Sequence, residues 1–298
     1  MKSPELLCPV WEDYELIDCG DFEKLERFGR YVTRRPEPQA IWHKSLPNEE
    51  WNRLATAVFT REGGGSDERG RWHLKPSQPD QWFVSQRVGN KTIRMRLGLT
   101  SFKHVGLFPE QAENWDFIYE STRAMIDNGH APRPKVLNMF AYTGGASLAA
   151  AAAGAEVTHV DSVRQCISWA RENMEASHIE GIRWVVEDAL KFARREVKRT
   201  HRYDGIILDP PAYGRGPEGE KWVLEQNIAE MLSLCAEMLN EGGFLVLNLY
   251  SMGLSATLAK SAVNQLIESP RFEQFGELYF TDRAGKALPL GVYYRCRK

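Results

Sequence analysis

"KVLNMFAYTGGASLAAAAAGAEVTHVD", residues 135–161, holds two short apolar runs separated by a paired-glycine turn and an alanine-rich stretch. The runs are too short for helices and read as strands, and the alanines between them read as a helix. The alternation continues toward the C-terminus: "RWVVED", "DGIILD", "GGFLVLNLY", "ELYFT" and "VYYRCR" follow as strands, and helical patterns separate the first five of the seven. Ser162 with Gln165 predicts a capping box ahead of "VRQCISWARENMEA". Leu224, Ile228, Met231, Leu232, Cys235 and Met238 make one apolar stripe of a helix. Upstream, "ENWDFIYESTRAMIDNG" places Trp115, Ile118, Tyr119, Thr122, Met125 and Ile126 at three- and four-residue steps and stops at Gly129. Repeated βα units require right-handed crossovers, so the expected fold class is α/β, with a parallel, doubly wound sheet.

The first 105 residues have a different texture, rich in Trp, Pro and Gly with no long helical period. "WFVSQRVGNKTIRMRLGLT" reads as two strands around a Gly89-Asn90 turn, and "REGGGSDERGR", 61–71, as a loop. The expected division is a small β-rich domain at 1–105 and a larger domain at 106–298.

The 298 residues are 43% hydrophobic and 26% charged, which excludes a disordered chain. No apolar run is long enough to span a membrane and the start lacks the order of a signal peptide, so a soluble, cytoplasmic protein is expected. Five scattered cysteines (Cys8, Cys19, Cys166, Cys235, Cys296) without a C-x-x-C pair argue against a disulfide framework and against a zinc site; no metal is expected. The net charge of −2 excludes a globally basic nucleic-acid binder. Locally, residues 61–103 hold nine Lys/Arg against four acids, either a solvated face or a binding patch. "ARREVKRTHR", 193–202, reads as a solvated helix tail.

In doubly wound sheets, ligands bind beyond the carboxyl ends of the strands. Asn138 closes the first of these strands, and Gly144-Gly145 allow close backbone approach, for a ligand or for packing alone. Asp161 stands 23 residues after Asn138, the distance at which nucleotide-binding folds place an acid on ribose hydroxyls; the other reading is a helix-terminal acid. Glu187-Asp188 offers an acceptor for an exocyclic amine or, again, a helix N-terminus. In "DGIILDPPAYGRG", 204–216, two prolines fix φ near −65° and hold Asp209 extended, so the chain leaves its strand stiffly.

The ordered set "NMFAYTGGAS", "HVDS", "VEDA" and "DPPAYGRG" resembles the class I S-adenosylmethionine-dependent methyltransferases, and within them the ribosomal RNA large subunit methyltransferase I group and its relatives. "GLFPEQAENW", 106–115, is similar to the segment that precedes their cofactor domain. The resemblance covers roughly residues 100–298. It implies a Rossmann-like seven-stranded methyltransferase sheet whose last hairpin is antiparallel. It also implies that Asn138, Ala141, Tyr142, Thr143 and Gly144 line S-adenosyl-L-methionine, that Asp161 with Ser162 holds its ribose, and that Asp188 and Ala189 hold its adenine. Asp209 would sit beside the methionine amino group and the target, and Gln111 would touch the cofactor.

Methyl transfer from a sulfonium needs a nucleophile held in line, about 3 Å from the methyl carbon. An amino group on a base would find fixed acceptors in Asp209 and the Pro210 carbonyl, an edge stiffened by Pro211, and a stacking face in Tyr213. Gly214 and Gly216 would let substrate approach, and Arg215 would meet a phosphate. The carbon-methylating branch of the family carries a cysteine near the end of the fifth strand; here "LNLYSMGLS" has Tyr250 and Ser251 instead. Cys235 lies on a helix's apolar stripe. Transfer to nitrogen or oxygen is expected, with ribosomal RNA the expected partner. Three alternatives are kept: a protein or small-molecule N-methyltransferase, a nicotinamide dehydrogenase, and an S-adenosylmethionine-binding protein without catalysis. The β-rich domain would bind RNA or a second copy of the chain in a homodimer.

Overall fold

The computed structural model describes residues 3–62, 68–250 and 253–298. The chain orders its strands as β1 (Glu5–Leu7), β2 (Tyr14–Gly20), β3 (Glu23–Phe28), β4 (Tyr31–Pro36), β5 (Ala57–Arg61), β6 (Gly70–Leu74), β7 (Gln81–Val88) and β8 (Lys91–Gly98) in the N-terminal third. There follow β9 (Lys135–Met139), β10 (Glu156–Asp161), β11 (Ile182–Val186), β12 (Tyr203–Leu208), β13 (Tyr213–Arg215), β14 (Lys221–Val223), β15 (Leu239–Leu249), β16 (Phe272–Thr281) and β17 (Ala287–Arg297). The helices are α1 (Asn48–Leu54), α2 (Ala112–Asp127), α3 (Gly145–Ala153), α4 (Arg164–Ala176), α5 (Ala189–Lys198), α6 (Leu224–Met238) and α7 (Ala256–Asn264).

The large sheet has the order β1-β16-β17-β15-β12-β9-β10-β11. Strands β9 to β12 and β15 are parallel, and β17 inserts antiparallel between β15 and β16. All seven expected strands are present in this sheet, which has an eighth besides: β1 pairs in parallel with β16, Leu6 opposite Glu277. Three residues are too few to show a period, so the sequence hides this edge strand.

Alternation along the strands supplies both faces. Val136, Val157, Ile207, Phe244 and Val246 pack with α2, α3 and the buried side of the β7–β8 hairpin, in a core that continues into Trp11, Tyr14 and Phe28. Leu137, Met139, Val160, Ile206, Leu208 and Leu245 pack with α5, α6 and α7 on the other side. A separate five-stranded sheet, β2-β3-β4-β5-β6, closes over Trp51 of α1. The hairpin turns at Gly89-Asn90, since Val88 pairs with Lys91. Arg61 pairs with Gly70, which makes the expected 61–71 loop a hairpin end; its residues 63–67 lie outside the described residues.

One local expectation fails. Ser162 does not cap α4: the helix begins at Arg164 after Val163, and no side chain caps it. Asp161 Oδ1 accepts the Val163 N–H at 2.8 Å and holds Val163 in the N-cap position, so the helix starts one residue later than a capping box on Ser162 requires. Between the Asp-Pro-Pro turn and α6 stands the antiparallel β13–β14 ribbon.

Candidate active site

The turn after β9 is built from unusual backbone. Phe140 (φ 56°), Tyr142 (φ 49°) and Gly144 (φ 90°) alternate in the left-handed region, which two bulky residues adopt only under tertiary constraint. The constraints are identifiable. The Tyr142 N–H donates to Asp161 Oδ2 at 2.8 Å, the Thr143 hydroxyl donates to the Gly106 carbonyl at 2.7 Å, and Asn173 Nδ2 donates to the Thr143 carbonyl at 2.9 Å. Gly145 is required for space: a Cβ there would lie 2.2 Å from the Trp115 ring. Asp161 thus ties the ends of β9 and β10 together. Burial pushes its carboxyl pKa up, and the N–H groups of Val163 and Tyr142 hold it back.

Asn138 points toward α3. Its Nδ2 donates to Ser147 Oγ at 2.9 Å, and Ser147 Oγ lies 3.0 Å from His159 Nδ1. Burial holds the His159 pKa down at about 3, so its ring is neutral. Fixing the amide this way leaves Asn138 Oδ1 buried with no partner.

A cleft opens beyond these strand ends, about 480 Å³ including the space open to solvent at its mouth. Gln111, Asn138, Ala141, Tyr142, Thr143, Gly144 and Asp209 all line it. Its far wall joins the segment 106–115 to residues near the ends of β15 and β17. Gln111 Oε1 accepts from Asn114 Nδ2 (2.8 Å) and Asn248 Nδ2 (2.9 Å), which directs Gln111 Nε2 to the Tyr250 hydroxyl. The buried Arg295 donates through Nε to Asn114 Oδ1 at 2.6 Å and anchors this network from β17. Phe108 stands between Tyr142 and Tyr250, 5.6 Å from each ring centroid.

Asp209 follows β12. Its Oδ1 is buried and has no hydrogen-bond partner. Burial, with a contribution from the negative charge of the buried Glu110, raises its pKa to about 7. Burial likewise raises Glu110 to about 7. The turn beyond is pinned: the Pro211 carbonyl accepts Trp222 Nε1 at 2.7 Å and the Ala212 carbonyl accepts the Leu224 N–H at 3.0 Å. Tyr213 is 54% exposed, and Arg215 Nε donates to its hydroxyl at 3.2 Å.

The other expected site residues lie outside the cleft lining. Asp161 ends β10 and Ser162 follows it, Asp188 and Ala189 come after β11, and Asp188 Oδ1 caps α5 by accepting the Lys191 N–H at 2.8 Å. Pro210, Pro211 and Tyr213 follow Asp209 along the chain and are not part of the lining. Gly216 does not leave room for substrate, since a Cβ there would meet Glu220 at 2.3 Å and Asp188 at 3.0 Å. Tyr250 is in place beside Gln111, whereas Ser251 lies outside the described residues. Sequence reading misses Phe108, Asn114, Trp115 and Asn248. The available signals were the segment 106–115, which holds Phe108, Asn114 and Trp115, and Asn248, a polar residue near the end of the fifth strand as Asn138 is near the end of the first.

Among the described residues no helix is long and apolar enough to cross a membrane, and no cluster of three His, Cys, Asp or Glu is placed to hold a metal. Residues 66–272 match the profile of the S-adenosylmethionine-dependent methyltransferase family. The chain is similar to a crystallised SAM-dependent methyltransferase from Agrobacterium tumefaciens, with 37% identity, a TM-score of 0.88, and coverage of 99% of this chain and 94% of that one. It is also similar to ribosomal RNA large subunit methyltransferases K/L. The protein from Shewanella frigidimarina is 30% identical over 167 residues, 55% of this chain and 22% of that protein. The one from Syntrophotalea carbinolica is 32% identical over 154 residues, 50% and 20%. The chain thus spans about a fifth of the length of these relatives. These matches set aside the dehydrogenase reading. With its strand order, its cleft beyond the carboxyl ends and its match over more than half its length, the chain belongs to the S-adenosylmethionine-dependent methyltransferases, enzymes whose methyl donor is S-adenosyl-L-methionine.

Proposed function

We propose that this enzyme methylates RNA, most specifically an amino nitrogen of a base in ribosomal RNA, in the cytoplasm. The observation that carries this reading is the buried, unpartnered Oδ1 of Asp209 on a proline-stiffened turn with Tyr213 exposed beside it. The names of the K/L relatives support the ribosomal substrate.

The cleft fits the cofactor. Asn138 Oδ1 and Asp209 Oδ1 are buried acceptors without partners in its wall, suited to an ammonium group. Gln111, Asn138, Ala141, Tyr142, Thr143, Gly144 and Asp209 would hold it directly. Asp161 and Ser162 would meet the ribose, and Asp188 and Ala189 the adenine. S-adenosylmethionine supplies a methyl carbon on a positively charged sulfur, activated for displacement.

The protein's own part is positioning and proton acceptance. Asp209 Oδ1 and the Pro210 carbonyl accept the N–H groups of the target amine and turn its lone pair toward the cleft. A carboxyl with a pKa near 7 is matched to taking the proton that the amine loses as its bond to carbon forms. Pro211 keeps that edge stiff, and Tyr213 stacks on a base removed from its neighbours. Residues 1–105 would hold the RNA and 106–298 carry out the chemistry.

The test is transfer of tritiated methyl from S-adenosylmethionine into lysate of a strain lacking the protein, counted separately in RNA, protein and small molecules, with Asp209→Ala as control. Label in RNA that disappears with the variant supports the reading. Label confined to protein or small molecules refutes the RNA substrate, and cofactor binding without any label points to a non-catalytic protein.

A further inference from the structure

We propose that Arg69 and Phe102 form an outer stacking platform for the single-stranded RNA that flanks the target nucleotide, and that Phe108 is the inner end of the same strip. The proposal rests on the RNA reading above and assigns it a surface.

Phe102 is 41% exposed, and the Arg69 guanidinium lies over its ring, 5.1 Å from the centroid. Among the described residues Arg69 has no carboxylate within ion-pair distance, so its charge remains for a ligand. The pair is held by backbone. Arg69 and Phe102 form an antiparallel bridge, the Gly70 N–H donates to the Ser101 carbonyl at 3.0 Å, and the Lys103 N–H donates to the Glu68 carbonyl at 3.0 Å. Trp72 Nε1 donates to the Phe102 carbonyl at 3.0 Å. An exposed phenylalanine whose backbone is held by these three hydrogen bonds presents a preorganised face, and such a face loses little entropy when a base stacks on it.

The platform leads to the cleft. Phe108 follows Phe102 by six residues, at most about 20 Å of chain. Between them His104 lies 5.2 Å from the Phe108 ring, and Phe108 in turn contacts Tyr142 and Tyr250 in the cleft wall. Glu68, beside Arg69 in the strip, is met by Lys103 (2.8 Å) and His104 (2.6 Å). The surrounding residues 61–103 carry the chain's local basic excess, nine Lys/Arg against four acids. Aromatic and guanidinium planes in a basic setting suit splayed bases of single strands, which stack on them regardless of sequence. A protein partner would instead be met by a broader apolar patch.

The test uses the full chain and RNA isolated from cells lacking the protein, with Arg69→Ala, Phe102→Ala and, as a control, Phe22→Ala at another exposed phenylalanine. Phe102→Ala is expected to raise KM for RNA about tenfold, with a smaller change in kcat and unchanged affinity for S-adenosylmethionine. Arg69→Ala is expected to weaken binding of a fluorescein-labelled single-stranded RNA and to make its log–log salt dependence shallower by about 0.7. Wild-type RNA methylation with KM within twofold in both variants overturns the platform alone. No RNA methylation by the wild type overturns the RNA reading and the platform with it.

Discussion

The carboxylate of Asp161 accepts the Tyr142 N–H on one oxygen and the Val163 N–H on the other, each at 2.8 Å. One side chain therefore fixes both the left-handed turn after β9 and the start of α4. Replacement by Ala strands two donors and is expected to destabilise the protein by about 2–4 kcal/mol, measured by urea unfolding. If Asp161 also meets the ribose, affinity for S-adenosylmethionine falls more than tenfold in calorimetry. Lost stability with unchanged affinity would make the residue a strut only.

Asp209 sets the pH dependence. With its pKa near 7 the accepting carboxylate form grows in through neutrality, so kcat/KM should rise with pH with a midpoint near 7 and level off above about 8. Asp209→Asn should lose the rise and about 10²–10⁴-fold in rate. The sign for stability is opposite. The folded value near 7 lies above the ordinary 3.8, so between these values the folded state keeps a proton that the unfolded chain has released, and stability falls as pH rises from about 4 to 7. Asp209→Asn should therefore raise Tm at pH 8, by roughly 2–4 °C for each kcal/mol relieved. A lower Tm would show that the carboxylate is satisfied in a way the structure lacks.

Glu110 acts on Asp209 through charge, second to burial. Glu110→Gln should move the midpoint of the pH–rate profile to lower pH, because the carboxylate of Asp209 then ionises without a negative neighbour. A midpoint that stays in place separates the two groups electrically.

Gly145 leaves no space for a side chain. Gly145→Ala drives a methyl into the Trp115 ring and is expected to cost about 1–3 kcal/mol, read from the midpoint of chemical unfolding. Since Trp115 lines the cleft, S-adenosylmethionine affinity should fall as well.

Cys235 is buried in α6, and burial pushes its thiol far above the range in which a thiolate forms. RNA containing 5-fluorocytosine should give no covalent complex on a denaturing gel, and Cys235→Ala should keep its activity. A trapped adduct would replace nitrogen by carbon as the target.

The sequence by itself determined the βα alternation, because core-facing positions must be apolar at the period of their element, and such periods survive in one dimension. It also determined the Asp-Pro-Pro edge and the carboxylate at Asp161, since proline's φ and the position of an acid at a strand end are local properties. Tertiary structure alone decided which residues meet in the far wall of the cleft. Gln111, Asn114 and Asn248 hydrogen-bond across more than 130 residues of chain, and β1 pairs with β16 across about 270. No local rule ties such partners together. The missed cap has the same origin: Ser162 and Gln165 fit the pattern, but Asp161, held in place by Tyr142 from the neighbouring strand end, binds the Val163 N–H and shifts the N-cap to Val163. The unpartnered oxygens of Asn138 and Asp209 likewise exist only because packing removes water from both while placing no donor opposite either.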